Sequence, residues 1–211
     1  MKIASVDLAE NYVPESAEIA AARAAAEQLD VTPIAPGAGA TLSFLSHTLK
    51  SRTIAELGTG TGVSGLYLLA NSNAILTSID LEAEHQNRTK EVFLSAGIAP
   101  QRFRLISGKA LDVLPRLTDS AYDLVFVDAD KTEYGEYYEE ALRIVRPGGL
   151  IVFNHALLLD RVADRSHRDP ETVSVRSLLD FVRTDDRVTA VVLPLGDGLL
   201  AVRRHDELPV T

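Results

Sequence analysis

The chain has 211 residues, 46% of them hydrophobic and 24% charged, which predicts one soluble folded domain over residues 1–211 with an ample core. Its formal net charge of −9 excludes the basic surface of a protein that grips nucleic acid, and its lack of cysteine excludes disulfides, thiolate metal sites and a cysteine nucleophile. The longest apolar runs are far shorter than a membrane span, so we expect a cytoplasmic protein that binds no membrane.

The N-terminal part of the chain, residues 1–50, has a helical pattern that one loop interrupts. Residues 15–29 are rich in alanine and glutamate, with apolar residues at helical spacing, which predicts a helix. Two prolines and a glycine then predict an ordered loop over residues 31–39, because they are expected to prevent a continuous helix. Residues 40–49 resume the helical pattern.

Residues 51–211 alternate short apolar strands with helices, which predicts a mostly parallel sheet covered by helices on both faces. The expected strands cover residues 53–57, 74–80, 103–107, 124–128, 150–154, 188–195 and 199–203. The expected helices cover residues 63–70, 82–96, 110–117, 134–145 and 173–184. Three residues, Gly196-Asp197-Gly198, separate the last two strands, and a connection this short allows only a tight hairpin. The seventh strand is therefore predicted to run antiparallel. We assign this turn no further role.

A glycine-rich turn, ELGTGTG, lies between the first strand of this series and the next helix. Missing Cβ atoms let the backbone approach a ligand, and the helix N-terminus offers unpaired N–H groups, so the turn predicts a cofactor cradle. Glu56, two residues before Gly58, suits a cationic ligand. A nicotinamide fingerprint would place its third glycine at Val63, which makes a nicotinamide-dependent dehydrogenase the less favoured alternative. Asp80, at the end of the second strand, would either accept both hydroxyls of a ribose or cap the following helix.

Six motifs lie along the chain, and the first of them contains the glycine turn. They are ELGTGTGVS (56–64), SID (78–80), SGKA (107–110), YDLVFVDADKTEYGEYYE (122–139), RPGGLI (146–151) and LPLGDGLLAVRR (193–204). With these motifs nearly the whole chain resembles the S-adenosylmethionine-dependent O-methyltransferases of the catechol and caffeoyl-coenzyme A type, including their small bacterial members. The resemblance implies the Rossmann-like class I methyltransferase fold and methyl transfer to a hydroxyl oxygen of a small molecule, such as a phenol or catechol. It also implies a homodimer packed partly through residues 1–50.

The resemblance assigns cofactor contacts to positions that match the family. The expected contacts with S-adenosylmethionine are Ile34, Glu56, Gly58, Thr59, Ser64, Asp80, Ala110, Asp128 and Asp130. In this assignment Asp80 binds the ribose hydroxyls and Ala110 lies at the adenine. Asp128 and Asp130 lie where the cofactor meets the acceptor, at the carboxyl end of a central strand.

The expected catalytic residues are Lys131 and Asp128. Lys131 matches the family's proposed base, since a lysine in a partly desolvated site is able to accept a phenolic proton, although a solvated lysine at a helix start is the alternative. The family's metal cage resembles Asp128 followed by an Asp-Asn pair, where this chain has Asn154 and His155. One carboxylate is lost, and Mg²⁺ rarely accepts histidine, whereas Mn²⁺, Fe²⁺ or Zn²⁺ would. Either the metal differs, or it binds weakly, or it is absent.

His155 leaves two hypotheses open. It would act as a general base if no metal occupies the site, or it is a strand-end histidine hydrogen-bonded to a loop. The altered metal pair also leaves open a cofactor-binding protein that has lost catalysis. On the helix after Lys131, the spacing of Tyr134, Tyr137 and Tyr138 puts their rings on one face, which indicates core or interface packing.

Overall fold

The computed structural model describes residues 3–206. Within this range the strands are β1 (Thr53–Leu57), β2 (Ile75–Asp80), β3 (Phe103–Ser107), β4 (Tyr122–Val127), β5 (Val145–Phe153), β6 (Val188–Leu193) and β7 (Leu199–Arg204). They form one sheet in the order β3-β2-β1-β4-β5-β7-β6. Strands β1 to β5 pair in parallel, and β7 runs antiparallel to both of its neighbours. The predicted seven-stranded sheet with a reversed seventh strand is therefore confirmed.

Helices connect the strands and precede the first of them. They are α1 (Ile3–Glu10), α2 (Ala17–Gln28), α3 (Pro36–Leu49), α4 (Val63–Leu69), α5 (Ala83–Ser95), α6 (Ala110–Val113), α7 (Tyr134–Ile144) and α8 (Pro170–Val182). None of these helices, over the residues described, has the length and apolar character needed to cross a membrane.

The central strands are buried on both faces, because neighbouring side chains point into different apolar clusters. Phe126 packs in a cluster that includes Leu42 of α3 and Phe93 of α5. The next residue, Val127, packs in the opposite cluster with Tyr138 of α7. Continuous apolar strands are expected where helices cover both faces of a parallel sheet. The carboxyl edge of this sheet is therefore a rigid platform for the residues that follow each strand.

The prediction that residues 31–39 form a loop is wrong at its C-terminal end. Helix α3 begins at Pro36, where a proline is tolerated because the first turn needs no N–H partner. The glycines of this turn serve close packing: a Cβ at Gly37 would lie 2.7 Å from Glu10 Oε2, and one at Gly39 would lie 2.3 Å from the Tyr67 ring. Residues that the sequence pattern predicts to break a helix here begin α3 and allow it to pack closely against its neighbours.

Other boundaries also differ from the sequence prediction. Strand β5 begins at Val145, directly after α7, although the sequence predicts its start at residue 150. The expected helix over residues 110–117 is α6 followed by a 3₁₀ turn, Leu114–Arg116, which contains Pro115. Strand β6 ends at Leu193, so five residues, 194–198, join it to β7 instead of three. This longer connection leaves side chains of the turn free to reach neighbouring elements.

Candidate functional site

A cavity of about 780 Å³ opens at the carboxyl edge of the sheet. It is lined by residues that follow β1, β2, β3 and β4, together with the segment before α3 and one residue after β5. Among the lining residues are Ile34, Gly58, Thr59, Ser64, Asp80, Lys109, Ala110, Asp128, Asp130, Lys131, Tyr137 and His155. The cavity therefore brings together all of the expected site residues except Glu56 and Asn154.

The position of the cavity follows from the order of the strands. The chain runs outward from β1 to β2 and β3 on one side, and then returns to place β4 on the other side of β1. Connections on the two sides leave a crevice above the carboxyl ends of such strands, where α/β sheets bind ligands. The turn after β1 and the turn after β4 form the facing walls of this crevice.

The glycine turn is shaped by backbone conformations that other residues rarely adopt. Gly58, Gly60 and Gly62 have φ values of +90°, +51° and +85°. A Cβ at Gly58 would lie 2.0 Å from the backbone oxygen of Asp128, so only glycine allows the turns after β1 and β4 to meet there. The missing Cβ at Gly58 thus lets the glycine turn lie directly against residues 128–131, the DADK segment.

Asp80 stabilises the glycine turn and also lines the cavity. Its Oδ2 accepts hydrogen bonds from the backbone N–H of Thr59 (2.9 Å) and Gly60 (3.0 Å). Its Oδ1 accepts from the N–H of Glu82, the residue at the start of α5, at 2.8 Å. These bonds hold the turn that precedes α5, whose N-cap residue Glu82 makes no side-chain capping hydrogen bond, and they leave the Asp80 carboxylate at the cavity wall.

Glu56 does not line the cavity but lies one layer beneath it, with no exposed surface. Its carboxylate accepts hydrogen bonds from Ser64 Oγ and Ser78 Oγ, both at 2.6 Å. Gln86 donates to Thr59 Oγ1 (2.9 Å), which lies 2.6 Å from Ser78 Oγ and so extends the network below the glycine turn. Burial raises the pKa of Glu56 to about 7, although the two serine hydrogen bonds act to lower it. Sequence reasoning assigned Glu56 to the ligand and gave no role to Gln86.

Charged side chains gather at the other wall, after β4 and β5. Asp128 Oδ2 accepts a hydrogen bond of 2.9 Å from Asn154 Nδ2. Its Oδ1 lies 3.8 Å from Lys131 Nζ and 3.5 Å from His155 Nε2. Asp130 instead caps the 3₁₀ turn that begins at Lys131 and accepts from Thr132 N at 2.9 Å. The two predicted catalytic residues are neighbours in space and face the same cavity as the glycine turn.

Asp197, which sequence reasoning assigned only to a hairpin, belongs to this cluster. Its Oδ2 lies 2.8 Å from His155 Nδ1, and its other oxygen accepts from the backbone N–H of Leu159. Both carboxylates are largely buried, with Asp197 and Asp128 each 16% exposed. A turn of glycine and aspartate satisfies the hairpin geometry unaided, so no signal in the turn itself pointed to this contact.

The mouth of the cavity carries an ion pair and a tyrosine. Lys109 Nζ lies 2.8 Å from Glu133 Oε1, and this hydrogen-bonded contact raises the pKa of Lys109. Tyr137 donates from its hydroxyl to Glu133 Oε2 at 2.6 Å. Tyr134 and Tyr138 are buried in the core, as the spacing of the three rings predicts, whereas Tyr137 also lines the cavity.

The side chains around Asp128 do not fit a hard divalent cation. Asn154 presents its NH₂ group to the carboxylate, so its carbonyl oxygen is not directed at the same point. The two other neighbours of this carboxylate, Lys131 and His155, present nitrogen atoms, and Mg²⁺ rarely accepts an imidazole. Across residues 3–206, no set of three or more histidine or carboxylate side chains is arranged to hold a metal ion.

Comparisons with known proteins cover almost the whole chain. A family model described as O-methyltransferase matches residues 4–205. A protein of Mycobacterium sp. (strain JLS) named "Putative O-methyltransferase" is 44% identical over 198 residues, which cover 93% of this chain and 90% of that protein.

Solved structures agree with this match. A crystal structure from Corynebacterium glutamicum superposes with a TM-score of 0.90 at 29% identity, covering 98% of this chain and 100% of that one. The O-methyltransferase TomG from Streptomyces achromogenes, involved in tomaymycin synthesis and crystallised with S-adenosylmethionine, superposes with a TM-score of 0.86 at 27% identity. That superposition covers 95% of this chain and 96% of TomG.

Proposed function

This chain belongs to the O-methyltransferase family of S-adenosylmethionine-dependent enzymes, and we propose that it methylates a hydroxyl oxygen of a small phenol or catechol. The observation that carries the proposal is the shared cavity. One wall is the glycine turn after β1, and the other holds Asp128, Lys131 and His155. A cofactor and an acceptor bound against these two walls would meet inside a volume of about 780 Å³.

The cofactor side has the groups that S-adenosylmethionine requires. Asp80 presents a carboxylate at the end of β2, where the two hydroxyls of a ribose would donate hydrogen bonds to one acid. Ala110 begins α6 at the far side and offers a small apolar surface to the adenine. The cavity wall near Ser64 lies over the buried Glu56, whose carboxylate, when ionised, suits a sulfonium cation.

Methyl transfer is an in-line displacement at carbon, so the site must align the acceptor oxygen with the methyl group. The oxygen–carbon bond forms while the carbon–sulfur bond breaks, and its electron pair stays on sulfur to give the neutral thioether. In our proposal the hydroxyl proton passes to Lys131 Nζ, with Asp128 stabilising the ammonium ion that results. A small acceptor also agrees with a net charge of −9, which disfavours nucleic acid.

We also propose that the enzyme is a homodimer joined partly through its N-terminal segment. Leu8, Tyr12 and Phe44 expose 67%, 77% and 68% of their surface on this part of the chain. Large apolar side chains left exposed within one segment favour an interaction surface there. Light scattering during size-exclusion chromatography gives the test: a monomer at every concentration would contradict the proposal.

The activity is tested by transfer of an isotopically labelled methyl group from S-adenosylmethionine to a panel of phenols and catechols. We expect labelled ether products, with mass spectrometry and NMR locating the methyl group on oxygen. A protein that binds the cofactor and methylates no member of a broad panel, with or without added metal, would instead favour the alternative of a binding protein without catalysis.

A further inference from the structure

The surroundings of Asp128 are already organised without a cation. One oxygen accepts the Asn154 amide N–H at 2.9 Å, and the other faces Lys131 Nζ and His155 Nε2 at 3.8 and 3.5 Å. A divalent cation needs several oxygen ligands at about 2.1–2.5 Å, most of them carboxylate or carbonyl. Here each of these three neighbours of the carboxylate offers a nitrogen instead of an oxygen.

His155 is held firmly in this position. Its φ of +55° is rare for a residue with a side chain, and such a conformation persists only where surrounding contacts over-determine it. Asp197 provides one such contact at 2.8 Å from Nδ1. The backbone supplies others, because Ala156 N donates to Gly198 O and Leu157 N donates to Asp197 O, both at 2.9 Å.

Helix α1 also holds the turn that carries Asp197, through Glu10. Gly196 N donates to a carboxylate oxygen of Glu10 in α1, and the other oxygen of Glu10 accepts from Gly37 N at 3.0 Å. The imidazole of His155 is therefore positioned by a turn that is itself fixed to the N-terminal helices. An imidazole whose Nδ1 faces a carboxylate presents Nε2 to its other side, which here is the cavity.

We propose that the His155 imidazole, held by Asp197, occupies the place beside Asp128 that a divalent cation would need, so that this enzyme methylates a single hydroxyl without such a cation. The inference rests on the proposed methyl transfer and names its acceptor class. A metal-dependent site binds two vicinal oxygens on the cation, whereas this site needs only one hydroxyl aligned with the methyl group. Monophenols are therefore acceptors on equal terms with catechols, and Asp197 is a positioning residue for the reaction.

The first test is calorimetric titration of Mn²⁺ into chelator-treated protein saturated with S-adenosylhomocysteine. We expect no binding heat from the wild type. The double variant N154D/H155N restores a second carboxylate and an amide, so it is expected to gain a Mn²⁺ site that a further Asp128→Asn change removes. Mn²⁺ binding by the wild type that Asp128→Asn abolishes would overturn the proposal, whether or not the double variant folds. A folded double variant that binds the thioether but no Mn²⁺ would also contradict it.

The second test measures turnover of a monophenol and of a catechol with excess EDTA. Wild-type rates for both are expected to be unchanged by the chelator, and a catechol-only, EDTA-sensitive activity would overturn the inference.

Asp197→Asn is expected to lower kcat roughly tenfold or more while leaving the KM for S-adenosylmethionine unchanged, and Asp197→Glu is expected to restore part of the loss. Asp160→Asn, at an exposed aspartate of the segment that follows His155, is the control and should behave as wild type. If the wild type does not bind S-adenosylhomocysteine, the proposed function is refuted. If it binds S-adenosylhomocysteine but its turnover is sensitive to EDTA, only this inference is refuted.

Discussion

Replacing the buried carboxylate beneath the glycine turn should change how the stability of the protein depends on pH. Glu56→Gln keeps the size of the side chain, and the serine hydroxyls at Ser64 and Ser78 are able to bond to an amide as well as to a carboxylate. The substitution therefore removes the ionisation of Glu56 while retaining the packing around it.

The expected magnitude follows from the pKa of Glu56. Burial raises it from 4.5 to about 7 in the folded protein, whereas the unfolded chain releases the proton near the lower value. Between these pH values the folded state binds more protons than the unfolded state, so stability falls as the pH rises, by about 1.4 kcal/mol per pH unit. Over the whole window the loss amounts to roughly 3 kcal/mol, and it is absent in Glu56→Gln.

Urea unfolding of both proteins at pH 4.5, 5.5, 6.5 and 7.5 provides the measurement. Because other groups titrate in the same range, the informative quantity is the difference in unfolding free energy between wild type and variant at each pH. That difference should move in favour of the variant by roughly 3 kcal/mol across the window. Glu27→Gln, an exposed glutamate of α2, is the control and should give a flat difference. A flat difference for Glu56→Gln as well would refute the argument that this carboxylate is buried and costly to ionise.

Three further predictions concern the cavity walls. Gly58→Ala should cost about 3 kcal/mol or more in urea unfolding, because its Cβ would meet the Asp128 carbonyl, whereas Gly97→Ala, with φ of +74° and open space around it, should cost only about 1 kcal/mol. Equal costs would contradict the close approach of the two turns. Asp80→Ala should weaken S-adenosylmethionine binding about 10- to 100-fold by calorimetry, and unchanged affinity would remove the ribose assignment. Lys131→Ala should spare that binding and lower turnover at least about 100-fold on a confirmed acceptor, so full turnover would exclude it as the base.

Most of the fold could be predicted because buried parallel strands have a strong signature. Continuous apolar strands that end in glycine or aspartate mark the carboxyl edge of the sheet, and each of the seven strands lies where the sequence predicts one. The sequence predicts no separate helix over Ile3–Glu10, and it predicts a loop at Pro36 although proline at a first helical turn is favourable. Boundaries that depend on packing, such as the end of β6, could not be predicted from the sequence pattern.

The candidate site was predictable where the chain itself brings residues together. The glycine turn and the DADK segment follow neighbouring strands, so their meeting follows from the topology. The contact between His155 and Asp197 joins residues 42 positions apart through an irregular segment, and no local pattern encodes it. The burial of Glu56 beneath Ser64, instead of at the cavity wall, likewise depends on side-chain packing that the motif does not specify.

The central claim is that the cavity binds the methyl donor and its product. Calorimetric titration of chelator-treated protein with S-adenosylmethionine, S-adenosylhomocysteine and NAD tests it most directly. We predict saturable binding of the first two with one site per chain, and no heat from NAD. Binding of NAD, or no binding of either methyl cofactor at protein concentrations that would detect millimolar affinity, would contradict the account.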